Sequence, residues 1–185
     1  MFAALCGRLF PRLRGRMPSL AAVHLLAIAL LVGFAYWALG FLLRDDLYIF
    51  GDNPGQFFRL WYPLSISLPK GSLVDWNPYW YAGYPELQFY PPGFILVGLL
   101  LQVLTLGRLT TMAVYQAIAF LAYLTPAITV YIFFVWLRQG KLTALAGGFF
   151  LLVFPDVFGG VTGVLDGMLG DRLAVGLFPL ALILG

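Results

Sequence analysis

The sequence predicts an all-α, polytopic membrane protein. Of 185 residues, 62% are hydrophobic and 10% charged, where a soluble domain carries about 25% charged residues. Mean hydropathy is +0.91. The apolar residues also gather into runs long enough to cross a bilayer. These figures exclude a water-soluble globular enzyme and a disordered chain. They exclude a nucleic-acid-binding module too. The 11 Lys and Arg give a net charge of +3, and they are too sparse and scattered to track phosphates. Cys6 is the one cysteine and His24 the one histidine, so neither an intramolecular disulfide nor a zinc-type cluster forms.

Residues 1–19 carry Arg8, Arg12, Arg14 and Arg16 and no acid. They read as a cytoplasmic N-terminus under the positive-inside rule. Residues 20–43 form the first expected span. At ~1.5 Å per residue they reach ~36 Å, enough for a ~30 Å hydrocarbon core. The run is too long for a cleaved leader and ends in Leu42-Leu43-Arg44, so it is read as an uncleaved signal anchor. His24 is most simply an interfacial or bundle-facing residue.

Residues 44–92 are not a spacer. They hold three of five Trp, six of ten Tyr, seven of twelve Pro and five of eight acids. A flexible connector is rich in Gly, Ser and charge. Aromatic rings at this density bury large areas, favour the membrane–water boundary and stack on sugar faces. An ordered extracytoplasmic segment is therefore expected. Pro54–Tyr62 reads as a short interfacial helix with Pro in its first turn and Asp52 or Asn53 as cap. Asp45 and Asp46 mark the helix–water boundary.

Two topologies compete for the remainder. Simple alternation makes 89–106, 111–137, 142–154 and 173–185 each a span. The other treats 89–106 as re-entrant or interfacial, so that an external loop covers 44–110. Residues 111–137 then run inward, 138–141 are a cytoplasmic turn, 142–157 run outward, 158–172 are a second external loop and 173–185 begin a fourth span. Each reading leaves six of the 11 Lys and Arg inside. The second is preferred because it leaves all eight acids outside and brings Asp52 and Asp166–Asp171 to one side. The apolar run is still open at Leu184-Gly185. The chain is accordingly expected to be the N-terminal part of a longer protein, inactive alone.

Gly51-Asp52 with Gln56 four residues on, Asp75-Trp76-Asn77-Pro78, Gly83-Tyr84-Pro85 and Tyr90-Pro91-Pro92 all follow the first span. In this order they resemble the N-terminal region of the GT-C superfamily of membrane glycosyltransferases, over residues 20 to 185. The nearest likeness is the "6-pyruvoyl-tetrahydropterin synthase-related" membrane protein branch. The layout is also similar to the start of oligosaccharyltransferase catalytic subunits and lipid A aminoarabinose transferases. The resemblance implies juxtamembrane helices in a large first external loop. It also implies a prokaryotic inner or plasma membrane location and transfer of a sugar from a polyprenyl-phosphate donor at the external face. Asp52 matches the first-loop acid, and Gly163-Val164-Leu165-Asp166 through Asp171 matches the second-loop acidic motif. Two departures stand out. Asp166-Gly-Met-Leu-Gly-Asp171 is not a tight acid-x-acid, and position 56 is Gln where the branch often has His.

Such a transfer needs a base at the acceptor and positive charge at the departing phosphate. Asp52 and Asp166 are the catalytic candidates, since a partly desolvated carboxylate is a better base. A divalent cation, Mg or Mn, shared by Asp52 and Asp166 with Asp171 nearby, would relieve their repulsion. Arg59, Arg108 and Arg172 are candidates for phosphate oxygens, and Trp76, Trp80, Tyr81 and Tyr84 for the prenyl chain or sugar. Plainer readings stand beside these. Asp52 and Asp171 serve equally as helix caps, the arginines as headgroup anchors, and the aromatics as interfacial packing. The expected partners are the bilayer, the lipid donor and other membrane subunits. The rival function is a non-catalytic subunit of a larger complex with a degenerate GT-C-like start.

Overall fold

The computed structural model describes residues 20–44, 48–72, 74–80, 82–88, 90, 92–156 and 159–185. The Arg-rich segment 1–19, Asp45, Asp46 and Tyr81 lie outside the described residues. The fold is predominantly helical. In chain order it comprises α1 (Leu20–Leu39), α2 (Asn53–Tyr62), the short strands β1 (Trp76–Asn77) and β2 (Tyr84–Pro85), α3 (Gly93–Leu104), α4 (Thr111–Trp136), α5 (Lys141–Val153), α6 (Gly160–Leu165) and α7 (Leu169–Leu184). Two helices, Ala21–Leu43 and Thr111–Trp136, are long and apolar enough to cross a membrane. The 3-10 turn Gly40–Leu43 extends α1 to the bound read from sequence. The 12 residues of α3 span only ~18 Å, which falls short of a ~30 Å core.

Helix α4 is the mast on which the other elements pack. Val114, Ile118, Ala122, Tyr123 and Ala127 are fully buried along it. Its small residues let neighbouring backbones approach, which is how helices associate where the solvent is as apolar as the side chains. α1 runs antiparallel to it. Near the far end from the loop, His24 Nδ1 lies 2.6 Å from the Tyr131 hydroxyl. α5 also runs antiparallel, and the Tyr123 hydroxyl donates to Leu152 O at 2.9 Å. Gly148 of α5 leaves no room for a Cβ against Ala127 O.

The chain departs from the expected single run over 142–157. α5 ends at Val153, because Pro155 forces Phe154 into extended backbone (ψ 115°). The chain then turns at Asp156–Gly159 and climbs through α6 to the loop end. α7 starts at Leu169, four residues before the expected span. Asp171 and Arg172 therefore sit inside the helix and not in a loop.

Pro126 explains why a cation can sit there. Proline has no N–H, so the Ala122 carbonyl one turn earlier loses its helical donor. Arg172 Nε donates to Ala122 O at 3.3 Å, and Nη2 donates to Tyr123 O at 3.2 Å. The guanidinium also lies 5.6 Å from the Tyr123 ring centroid. One turn further, Gly176 packs on Thr125 and Pro126, where a Cβ would come within 2.8 Å of Thr125 Cγ2. The missing N–H in α4 and the cation in α7 are one interaction.

Arg172→Met is expected to lower unfolding stability in mixed micelles by about 1–3 kcal/mol, the cost of stranding a buried acceptor. In the Pro126→Ala background, whose restored N–H satisfies Ala122 O, the cost should shrink by about 1 kcal/mol. Equal costs in the two backgrounds would show that Arg172 does not repair the proline break.

Candidate functional site

The segment between α1 and α3 opens with a tight turn onto α2. Asp52 occupies the N-cap position of α2 and its carbonyl accepts the first helical bond from Gln56 N–H (2.9 Å). Its side chain makes no capping bond, so the carboxylate is not consumed by the helix. Pro54 falls at the start of the helix, where its missing N–H costs nothing.

The residue that holds the site together is Asn53, which is 3% exposed. Its Nδ2 donates to Leu165 O at 2.6 Å, to Val164 O at 3.3 Å and to Phe50 O at 2.9 Å. Its Oδ1 accepts from the Tyr115 hydroxyl at 2.6 Å. The two acidic segments, more than a hundred residues apart, are thereby fastened to each other and to the top of α4. Asp52 N–H donates to Asp166 O at 3.0 Å. Two glycines allow the close approach. A Cβ at Gly51 (φ +58°) would lie 2.7 Å from Asp166 Cα, and one at Gly167 (φ +82°) 2.7 Å from Asn53 N.

Asp52 faces a pocket of about 270 Å³ lined by Gly51, Pro54, Gly55, Gln56, Arg59, Trp80 and Tyr90 as well as itself. Arg59, one turn along α2 from Gly55, is 7% exposed. Its Nη1 donates to Gln56 Oε1 at 3.0 Å. The guanidinium lies 4.1 Å from the Tyr90 ring centroid and 5.1 Å from that of Phe94. Burial lowers its pKa, and the neighbouring Tyr84, Glu86 and Tyr90 oppose that shift. Trp80 packs on Phe58, with centroids 5.0 Å apart.

The β1–β2 hairpin braces this wall from behind. Trp76 pairs with Pro85 and Asn77 with Tyr84. Glu86 is 1% exposed and accepts from Asn77 Nδ2 (2.9 Å) and the Tyr84 hydroxyl (2.7 Å). Burial first, then the bond to Glu86, pushes the Tyr84 phenol well above its ordinary range. Tyr62 donates to Trp76 O at 2.9 Å and so ties the hairpin to α2. Its own phenol is raised by burial and by Asp75.

The structure thus brings Asp52, Arg59 and Trp80 to one pocket, with Tyr84 behind Arg59 and the Asp166 backbone beside Asp52. Trp76 is mostly exposed, its indole lying over Gly83. Arg108 is exposed in the turn between α3 and α4. Arg172 does not line the pocket and serves the α4 carbonyls. Asp171 is exposed in the first turn of α7. Among the described residues, no three His, Cys, Asp or Glu side chains group as a metal site. Asp52, Asp166 and Asp171 do not form such a group of three. Sequence reasoning missed Asn53 as the fastener, Gln56 as the clamp on Arg59, Tyr90 as its cover and Glu86 as a buried acid. The Asp-Asn pair before Pro54 was the available signal for Asn53, but it read only as a choice of caps.

Comparison with protein-family models, with curated proteins and with solved structures finds no match to this chain.

Asn53→Leu strands the Val164 and Leu165 carbonyls and the Tyr115 hydroxyl together. It should cost about 2–4 kcal/mol, against about 1 kcal/mol for Tyr115→Phe, which removes one donor. Unfolding midpoints in detergent measure both. A smaller loss for Asn53→Leu than for Tyr115→Phe would remove Asn53 from its role.

Proposed function

We propose that the chain is the N-terminal part of a GT-C-like integral membrane glycosyltransferase. It is multi-pass, with its N-terminus in the cytoplasm of a prokaryotic cell, and takes sugar from a polyprenyl-phosphate donor at the external face. The observation that carries this reading is the junction of the Asp52 and Asp166 segments beside a pocket lined by a buried arginine and aromatic rings. A base, a cation and a stacking surface within one pocket wall are what glycosyl transfer at a bilayer surface asks of a protein.

In this reading the acceptor hydroxyl attacks the anomeric carbon and the bond from that carbon to the phosphate oxygen breaks. The electron pair leaves with the prenyl phosphate and the hydroxyl proton passes to Asp52. Charge grows on the departing phosphate, and Arg59 is the lining cation that meets it. Trp80 offers an aromatic face for the sugar or the prenyl chain. Asp166, with its backbone bonded to that of Asp52, is the second acid of the site. Parts of the protein outside these residues supply the other cavity walls.

Asp52→Asn and Asp166→Asn should each reduce sugar transfer by about 10²-fold or more while membrane insertion is unchanged. Radiolabelled donor turnover in membranes expressing the natural reading frame measures this. Full activity in both variants would remove the catalytic reading and favour the non-catalytic subunit. Orientation is tested in a Cys6→Ser background. Arg138→Cys should resist a membrane-impermeant thiol reagent in intact cells, and Asp166→Cys should react. Labelling at position 138 from outside would overturn the topology.

A further inference from the structure

Helix α5 stops halfway up α4. Its Leu152 carbonyl accepts from the Tyr123 hydroxyl, and Tyr123 is at the middle of the 26-residue α4. At ~1.5 Å per residue α4 is ~39 Å long, so Tyr123 lies ~18 Å from one end and ~20 Å from the other. A hydrocarbon core is ~30 Å thick, so Leu152 falls near its centre wherever α4 is set within it. Beyond Leu152 the chain leaves the helix at Phe154 and enters the next at Gly160. α6 then climbs only ~9 Å to the seam at Asn53. The irregular stretch between α5 and α6 is therefore at bilayer depth.

That stretch is turned outward. Val153, Phe154, Pro155 and Asp156 are all exposed. The Asp156 carbonyl accepts from Gly159 N–H (2.9 Å) and from the Thr162 hydroxyl (2.5 Å). A carboxylate keeps its charge whatever hydrogen bonds it accepts. Hydrocarbon tolerates irregular backbone only where protein or a water-filled cavity covers it, and an acid at this depth faces a cation or a cavity. Beside the break is a pocket of about 260 Å³, lined by Phe34 and Trp37 of α1, Tyr123 of α4, and Pro155, Val161 and Thr162. Trp37 is 77% exposed. One turn before it, Gly33 has nothing within 4 Å of its Cβ position, so α1 continues the open face with a shallow groove.

Charge decides what covers this face. Lipid chains bring none, and headgroup cations lie at the bilayer surface. A second copy does not fit. A two-fold pair sets Asp156 against Asp156, and the described cations stand elsewhere. Arg59 and Arg172 are buried within the fold; Arg44, Arg108, Arg138 and Lys141 lie at helix ends, and Lys70 in the segment before β1.

We infer that a further membrane-crossing helix of the same polypeptide covers α1 and the α5–α6 break, with a Lys or Arg at mid-height meeting Asp156 and a large apolar side chain entering the pocket. Tethering supplies that helix at high effective concentration as the chain inserts. The inference rests on the multi-pass reading above, in which these residues are part of a longer protein, and takes nothing from sugar transfer.

The test expresses the natural reading frame in membranes with p-benzoylphenylalanine in place of Trp37 and irradiates it. The expected product is an intramolecular adduct. Its band keeps the mass of one chain, and mass spectrometry of a chymotryptic digest joins position 37 to an apolar peptide with an internal Lys or Arg. Asp156→Asn should lower the adduct yield about fivefold or more, and Lys70→Gln should leave it unchanged. Asp156→Leu should lower the unfolding midpoint in nanodiscs by about 5 °C or more, because it strands the cation. A face that meets lipid gives the opposite sign, since leucine there relieves a costly charge. Adducts to lipid alone, to a second copy or to a different polypeptide would overturn the inference. So would an unchanged yield in Asp156→Asn or a raised midpoint in Asp156→Leu. Asp52 and Asp166 are intact in each variant, so the loss of sugar transfer in Asp52→Asn and Asp166→Asn tests the proposed function separately.

Discussion

The structure depends on the seam that Asn53 makes between the start of α2 and the end of α6. Its amide spends one donor group on Leu165 O and Val164 O and its oxygen on Tyr115. The segments it joins lie 112 residues apart in the chain. Closing so long a loop has an entropic cost that must be met by contacts at the junction. Here the contacts are short, buried and directional, and Gly51 and Gly167 let the two backbones lie against each other. Without the seam, Asp52 and Asp166 belong to two independent surface loops and share no local chemistry. With it, they stand at a fixed spacing on a rigid helix top, which is the condition for any joint role.

The same economy recurs down α4. Its polar contacts with other elements fall at three heights: Tyr115 and Gln116 near the loop end, the Ala122 and Tyr123 carbonyls and the Tyr123 hydroxyl in the middle, and Tyr131 near the far end. Between them the face is apolar and small. Apolar packing alone lets helices slide and rotate where the surroundings are equally apolar. Polar contacts at three heights set the register of α1, α2, α6 and α7 against one mast. The Pro126 break, a defect in an isolated helix, here creates the acceptor that places α7.

What the sequence revealed and what it hid divide along this line. The long apolar helices at 20–43 and 111–137 were legible because an uninterrupted apolar run of that length states a helix able to cross a membrane. So was α2, since Asp-Asn-Pro followed by aromatics one turn apart states both a start and a face. The meeting of the two acidic segments followed from reading all acids onto one side. The early start of α7 was not legible, because Gly170-Asp171-Arg172 looks like a loop until its neighbour is known. Only the packing of α7 beside Pro126 supplies carbonyls that make a buried Arg172 tolerable. Glu86 was hidden for the same reason. Its partners, Asn77 and Tyr84, come from the two strands of a hairpin too short to show a period-two pattern.

Arg59, Arg108 and Arg172 were indistinguishable as letters, and their fates show how environment assigns chemistry to one residue type. Arg108 is exposed on the turn between α3 and α4. Arg172 is 2% exposed, but a broken helix offers it acceptors, and it becomes part of the scaffold. Arg59 is buried almost as deeply, but its neighbours are the side chains of Gln56, Tyr90 and Phe94. Gln56 takes one N–H group and two rings cover the charge at the wall of the pocket that Asp52 also lines. Burial by itself therefore does not separate a structural arginine from a binding one. The separating feature is what lies against the guanidinium: Arg172 meets the carbonyls of α4, and Arg59 lines the pocket beside Asp52.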